Sequence, residues 1–204
     1  MNKNIKIILV IVLVLAVGIF AITIKNKEHE NIGEENELEN TEVVEDTDAT
    51  EGVVEDSLKL PSFELMDMDG NVITDDIFKD YDITIISIWQ STWGPCYGEL
   101  DALNEIYKEY SDKDVNVIGI AIDGEFNSSG VKKAIDSLKL EFANLVPDEE
   151  FIVELIKIAN STPTALIVDE NGTLLMEPRV GSYGKDKDIE VFKEIIEKLT
   201  SSED

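Results

Sequence analysis

The chain contains one cysteine, one histidine and two tryptophans among its 204 residues. A single thiol excludes an internal disulfide framework and every multi-cysteine metal site. The histidine, His29, lies between Glu28 and Glu30 in an acidic tract. A base in such a tract cannot be held against a nucleophile, so Ser-His-Asp and Cys-His catalysis lose their support and no metal site is expected. Positive charge is scarce: 17 basic residues stand against 44 acidic ones, a net charge of −27. Such a surface repels phosphate backbones. Aromatic residues, at 7%, are too few and scattered for base stacking, so nucleic acid is not expected as a partner. No cofactor is implied.

Residues 28–57 contain no lysine, arginine, proline or aromatic residue and are rich in Glu, Asp, Asn and Thr. Self-repulsion and scarce apolar surface predict a disordered, extended linker. Ahead of it, Ile7 to Ile24 is an uncharged, almost wholly apolar run. It is long enough, at about 27 Å as a helix, to cross a bilayer core. A retained transmembrane anchor (residues 1–27) is expected, with a signal peptide cut near Ala16-Val17-Gly18 as the alternative. Lys3 and Lys6 on one side and Lys25 and Lys27 on the other lean towards an N-terminus inside, which places the C-terminal domain on the extracytoplasmic side of the cell membrane.

Residues 58–200 have a globular pattern and 201–204 form a tail. Phe63 to Met66 and Val72 to Thr74 read as strands around the turn Asp69-Gly70-Asn71, and Thr74-Asp75-Asp76 as a helix cap. Tyr81 to Trp89 holds a β-branched run that suits a central strand covered on both faces. The next helix shows an apolar face of Cys96, Leu100, Leu103, Tyr107 and Tyr110, with Glu99, Asp101, Glu105, Lys108 and Glu109 turned to water. Further strands are expected over 115–122, ended by Asp123-Gly124, and over 143–146 and 165–168, and helices over 129–140, 151–159, with Pro147-Asp148-Glu149-Glu150 as its start signal, and 188–199. Asp169-Glu170-Asn171-Gly172 should turn the chain into a hairpin strand over 173–176. This alternation predicts an α/β sandwich with parallel pairings across the crossover helices.

The organising stretch is Ile88 to Leu100, where a strand breaks into Trp93-Gly94-Pro95-Cys96 and a helix begins. A thiol on the first turn of a helix feels unpaired N–H groups and partial positive charge, which favour the thiolate. Trp93 stands three residues before Cys96, where a C-x-x-C pair would have its other sulfur. As a plain packing residue, Cys96 would instead be a small inert side chain against the sheet. Trp93 in turn would cap the Gly94-Pro95 turn, or serve as an aromatic contact for a bound peptide.

Leu60-Pro61-Ser62-Phe63, Asp67-Met68-Asp69-Gly70-Asn71, the Ile88–Glu99 stretch, Thr162-Pro163-Thr164 and Val168-Asp169-Glu170-Asn171-Gly172 occur in an order and spacing that carry a resemblance. Residues 59–199 resemble the membrane-anchored thiol-disulfide oxidoreductases of the TlpA/ResA type, with wider kinship to the AhpC/TSA redoxins. The resemblance implies a thioredoxin-like fold: a central mixed sheet with helices on both faces and an N-terminal β-hairpin extension, following a transmembrane helix. It implies that Cys96 occupies the position of the resolving cysteine of an active-site pair. Glu99 matches a glutamate that can relay a proton, and Pro163 a cis-proline whose loop, with Thr162, takes a substrate backbone beside Trp93 and Pro95. Trp93 falls on the attacking cysteine, and Ser87 falls where thioredoxins often carry a buried acid, so that acid is expected to be missing.

The implied partners are a cysteine-containing extracytoplasmic protein or peptide and a membrane electron donor. Three functions remain open on the sequence. The first is reductase-type thiol-disulfide chemistry with a degenerate W-G-P-C site, in cytochrome maturation or thiol repair. The second is a redox-silent module holding a polypeptide across the Pro163 groove. The third is a one-cysteine peroxidase, which lacks a nearby Arg or His to polarise peroxide.

Overall fold

A computed structural model describes residues 58–201. The expected anchor, the acidic linker, His29 and the last three residues lie outside the described residues. Among the described residues no helix is long and apolar enough to cross a membrane.

A seven-stranded mixed sheet runs through the domain in the order β2-β1-β5-β4-β3-β6-β7. Its strands are β1 (Glu64–Asp67), β2 (Val72–Thr74), β3 (Ile83–Trp89), β4 (Val115–Ala121), β5 (Asn144–Val146), β6 (Thr164–Val168) and β7 (Arg179–Val180). The helices are α1 (Gly94–Tyr110), α2 (Ser128–Leu138), α3 (Glu149–Leu155) and α4 (Lys185–Thr200). β3, β4 and β5 pair in parallel through their crossovers, while β6 runs antiparallel to β3 and β1 antiparallel to β5.

Period-2 alternation in β3 divides the core. Ile83, Ile85 and Trp89 pack with Leu100 and Leu103 of α1, Val131 of α2 and Phe192 of α4. Ile86 and Ile88 point the other way, onto Phe63, Phe78 and Phe151. Every residue of β3 and β4 is buried, as the apolar runs predict for strands covered on both faces.

Four local expectations differ from the structure. Residues Asp75–Asp80 form a 3-10 turn, and Thr74 at its start makes no side-chain cap bond. Residues 173–176 form isolated bridges, Lys59 with Thr173 and Val168 with Leu174, and the strand paired with β6 comes later as β7. The third helix ends at Leu155, beyond which Lys157 and Ile158 bond three residues back as tighter turns. Helix α4 begins at Lys185 rather than Asp188, because Asp188 is drawn into the interior. By contrast Asp148 caps α3 as its sequence suggests, accepting the Phe151 N–H at 2.8 Å.

Trp89, fully buried at the end of β3, donates its indole N–H to Asn144 Oδ1 at 3.1 Å. That bond passes directly over Gly119 of β4, where a Cβ would stand 2.2 Å from Asn144 Oδ1 and 2.9 Å from Trp89 Nε1. Gly119→Ala is therefore expected to lower the unfolding free energy by about 1–3 kcal/mol through overpacking and loss of this bond. Urea denaturation that left the midpoint unchanged would show that the neighbours give way freely.

Candidate functional site

Because β3 and β4 are parallel and β6 is antiparallel to them, three chain segments meet at one end of the sheet: the loops after β3 and β4 and the loop entering β6. α1 starts there. Trp93 occupies its N-cap position in an extended conformation (φ −111°, ψ 108°), Pro95 lies in the first turn, and the Cys96 N–H returns to Trp93 O at 3.1 Å. The Trp93 side chain is 50% exposed, while Cys96 is 0% exposed. Thr162-Pro163 is a cis peptide, and the Pro163 carbonyl accepts the Gly181 N–H at 2.8 Å. The structure thus brings Trp93, Pro95, Cys96, Thr162 and Pro163 to one end of the sheet.

The sulfur does not behave as its helix position alone predicts. Burial pushes the Cys96 thiol up to about 11. Hydrogen bonds from the Gln90 backbone and the Thr162 side chain oppose the rise, and the charges of Glu99 and Asp123 add to it. The expected thiolate is overturned because desolvation outweighs the pull of the helix N-terminus. Cys96 is a free, buried thiol.

Glu99 requires a second correction. Placed with the solvent-facing residues by its charge, it is in fact 0% exposed. It follows Cys96 by three residues and precedes Leu103 by four, so it belongs to the buried stripe of α1. Its carboxylate is satisfied there: Ser87 Oγ donates to Oε1 at 2.8 Å and Arg179 Nη1 to Oε2 at 3.1 Å. The helix that packs over β3 thus places a buried carboxyl against Ser87.

Arg179, the only arginine of the chain, is 10% exposed and also donates through Nη2 to Asp188 Oδ1 of α4, itself fully buried. One cation thus serves two buried carboxylates. Burial raises the Glu99 carboxyl to about 7, against the pull of Ser87 and Arg179 and with a further rise from Asp188. Sequence reasoning missed Arg179 and Asp188; the signal available was the solitary arginine in so acidic a chain.

A further polar cluster fixes the two upper loops. Asp123, read as a turn residue, is buried and accepts the Ser91 N–H at 3.0 Å, the Ser91 hydroxyl at 2.5 Å and the Asn127 side-chain amide at 3.3 Å. Tyr97 donates its hydroxyl to Ser91 O at 3.0 Å. These bonds tie the loop after β3 to the loop after β4, beside the Trp93 turn.

A model of the AhpC/TSA family matches residues 57–176. The thiol-disulfide oxidoreductase ResA of Bacillus thuringiensis subsp. konkukian is 26% identical over 135 residues, which cover 66% of this chain and 75% of ResA. Among solved structures, the thioredoxin domain of a thiol-disulfide oxidoreductase from Bacteroides vulgatus is similar with a TM-score of 0.55 at 19% identity, covering 69% of this chain and 96% of that one. StoA from Bacillus subtilis is similar with a TM-score of 0.52 at 21% identity, covering 64% and 96%. The fold is thioredoxin-like, as expected from the resemblance.

The Glu99 carboxyl holds its proton more tightly in the folded chain than in the unfolded one. Its contribution to stability is therefore complete below about pH 4.5 and is lost as the pH rises through about 7. Unfolding free energies measured between pH 5 and 8 are expected to fall with a component of up to about 1.4 kcal/mol per pH unit that Glu99→Gln removes. Equal pH slopes in the two proteins would show that Glu99 is ionised throughout.

Proposed function

The chain belongs to the AhpC/TSA family, in its ResA-like thiol-disulfide oxidoreductase branch, and from that membership we propose that it serves extracytoplasmic thiol-disulfide chemistry by engaging cysteine-bearing polypeptides at the Pro163 groove. Its partners are proteins or peptides carrying a thiol or disulfide, with a membrane electron donor wherever reduction is required. In this reading residues 7–24 anchor the chain in the cell membrane and residues 58–200 carry the function.

The observation that carries the proposal is the state of the single sulfur. Cys96 is free and fully buried, and three residues before it, where the resemblance implies the attacking cysteine of the pair, the chain carries Trp93. A dithiol cycle needs two sulfurs in one site. Holding a polypeptide needs no second sulfur, and what supports it is the cis Thr162-Pro163 loop and the half-exposed Trp93 at the same end of the sheet. The chain is thus an oxidoreductase-family protein that keeps the substrate-holding half of the site.

A residual one-sulfur reaction is the second reading, favoured by the hydrogen bonds that the Gln90 backbone and Thr162 direct at Cys96. In that reaction the Cys96 thiolate would attack a partner disulfide. The partner S–S bond breaks, a Cys96–partner disulfide forms, and the other partner sulfur leaves as a thiol after taking up a proton. A thiol from a second molecule would then have to release the adduct.

Alkylation separates the two readings. With its thiol raised to about 11, Cys96 in the folded chain is expected to react with iodoacetamide at pH 7 more than about tenfold more slowly than free cysteine. A rate equal to that of free cysteine would favour the one-sulfur reaction. Trp93→Cys is expected to restore reduction of insulin disulfides. A folded but inactive Trp93→Cys variant would show that more than the first sulfur has been lost, and would sink the family-type chemistry for this site.

A further inference from the structure

The cis-proline loop is not free-standing. Gly181, immediately after β7, donates its N–H to Pro163 O, and Val180 pairs with Thr164, so the position of β7 sets the position of the cis-proline loop. β7 is a two-residue strand at the edge of the sheet among the described residues. A strand this short has too few ladder bonds to hold itself in register. What holds it is Arg179.

The guanidinium reaches inward from β7 and makes three attachments. It donates to Glu99 Oε2 at 3.1 Å, to Gly181 O at 2.9 Å and to Asp188 Oδ1. Its planar face lies over the rings of Phe192, 5.0 Å away, and Tyr183, 5.2 Å away. The segment that follows, residues 181–184, is fastened by one of the same carboxylates: Ser182 Oγ donates to Asp188 Oδ2, and the Tyr183 N–H to Asp188 Oδ1 at 3.0 Å. It passes across α1 at Gly98, where a Cβ would stand 3.2 Å from both Gly184 Cα and Ser182 Oγ. The segment is therefore a strap lying on α1 one residue from Glu99, with Val180 and Tyr183 exposed on its outer side.

Deepening the polypeptide-holding reading, on which it rests, we propose that Arg179 is a positioning residue that joins the buried carboxylate of Glu99 to the Pro163 loop. Gain or loss of charge on Glu99 is then read out as movement of β7 and the 181–184 strap. The groups facing Glu99 are Ser87 from β3, Arg179 from β7, Asp188 from α4 and Cys96 from its own helix. With Glu99 ionised, Arg179 bridges two carboxylates and draws β7 onto α1. With Glu99 protonated, the ion pair to α1 is gone, Arg179 is held by Asp188 and Gly181 O alone, and the edge strand loosens together with the proline loop. The groove is thus set firmly on the alkaline side of the Glu99 titration and relaxed on the acid side, and this titration falls close to neutrality.

The test is a pH series of amide nitrogen–proton correlation spectra on the 15N-labelled full-length chain in mild detergent, from pH 5.5 to 8.5. The amides of Gly181, Tyr183 and Gly184 are expected to titrate together with one midpoint near 7. Glu99→Gln should abolish that titration. Arg179→Lys, which keeps the charge but loses the forked geometry, should retain it with smaller amplitude. Ser87→Ala removes a hydrogen bond to the charged carboxylate and should move the midpoint upward by about half a unit or more. Absence of the titration in the wild-type chain, or its survival in Glu99→Gln, would overturn the proposal. If Glu99→Gln fails to fold, an unmoved midpoint in Ser87→Ala overturns it instead. The spectra report strap movement without any bound polypeptide, so a failure to capture peptides would count against the holding function and leave this result standing.

Discussion

A single guanidinium between two buried carboxylates is the constraint around which the site end of the domain is arranged. Glu99 comes from α1, Asp188 from α4 and Arg179 from β7, while Ser87 of β3 adds a fourth element to the same cluster. Desolvating three ionisable groups is costly, and the cost is tolerable only where nearly every lone pair and N–H finds a partner. Here Ser87 and Ser182 take up carboxylate oxygens that Arg179 does not reach. The cluster fixes the depth at which α1 lies on the sheet, the starting point of α4 and the register of an edge strand too short to fix its own. Removing Arg179 would leave two buried carboxylates without a counter-charge, whereas loss of either carboxylate leaves the other paired with it.

The state of the sulfur follows from how this cluster seats α1. A helix N-terminus stabilises an anion by about 0.3–1 kcal/mol, which corresponds to less than one pKa unit. Burial against β3 acts in the other direction and moves the Cys96 thiol from an ordinary 9.0 to about 11. The larger effect wins, and the thiol is protonated at neutral pH. The raised carboxyl of Glu99 and the raised thiol of Cys96 share that cause, since both lie on the buried stripe of one helix. What the site keeps in accessible form is the Trp93 indole, at the same end of the sheet as the buried cis-proline that β7 pairs beside.

Much of the fold was legible because its signals are local. The β-branched run of β3, the strand of β4 and the Asp148 cap of α3 were placed within a residue or two, because each depends on its own side chains and nearest neighbours. The misplaced pieces share a different cause. Residues 173–176 had the composition of a returning strand, yet Leu174 and Thr173 divide their partners between β6 and the residues just ahead of Phe63, and the chain pairs again only at Arg179. α4 gained a turn at its start because Asp188 was needed inside. Glu99 was assigned to water on its charge, although its spacing from Cys96 and Leu103 already placed it on the apolar stripe.

By itself, the sequence determined the alternation of strands and helices, the strand-to-helix turn at Gly94-Pro95 and the presence of a single sulfur. These follow from side-chain period, turn chemistry and composition, all of which act over a few residues. Only the tertiary structure decided which polar groups would be buried and what they would meet there. Glu99, Arg179 and Asp188 are separated by 80 and 9 residues along the chain. No local rule connects them, and their pairing exists only once α1, β7 and α4 have closed around one desolvated space.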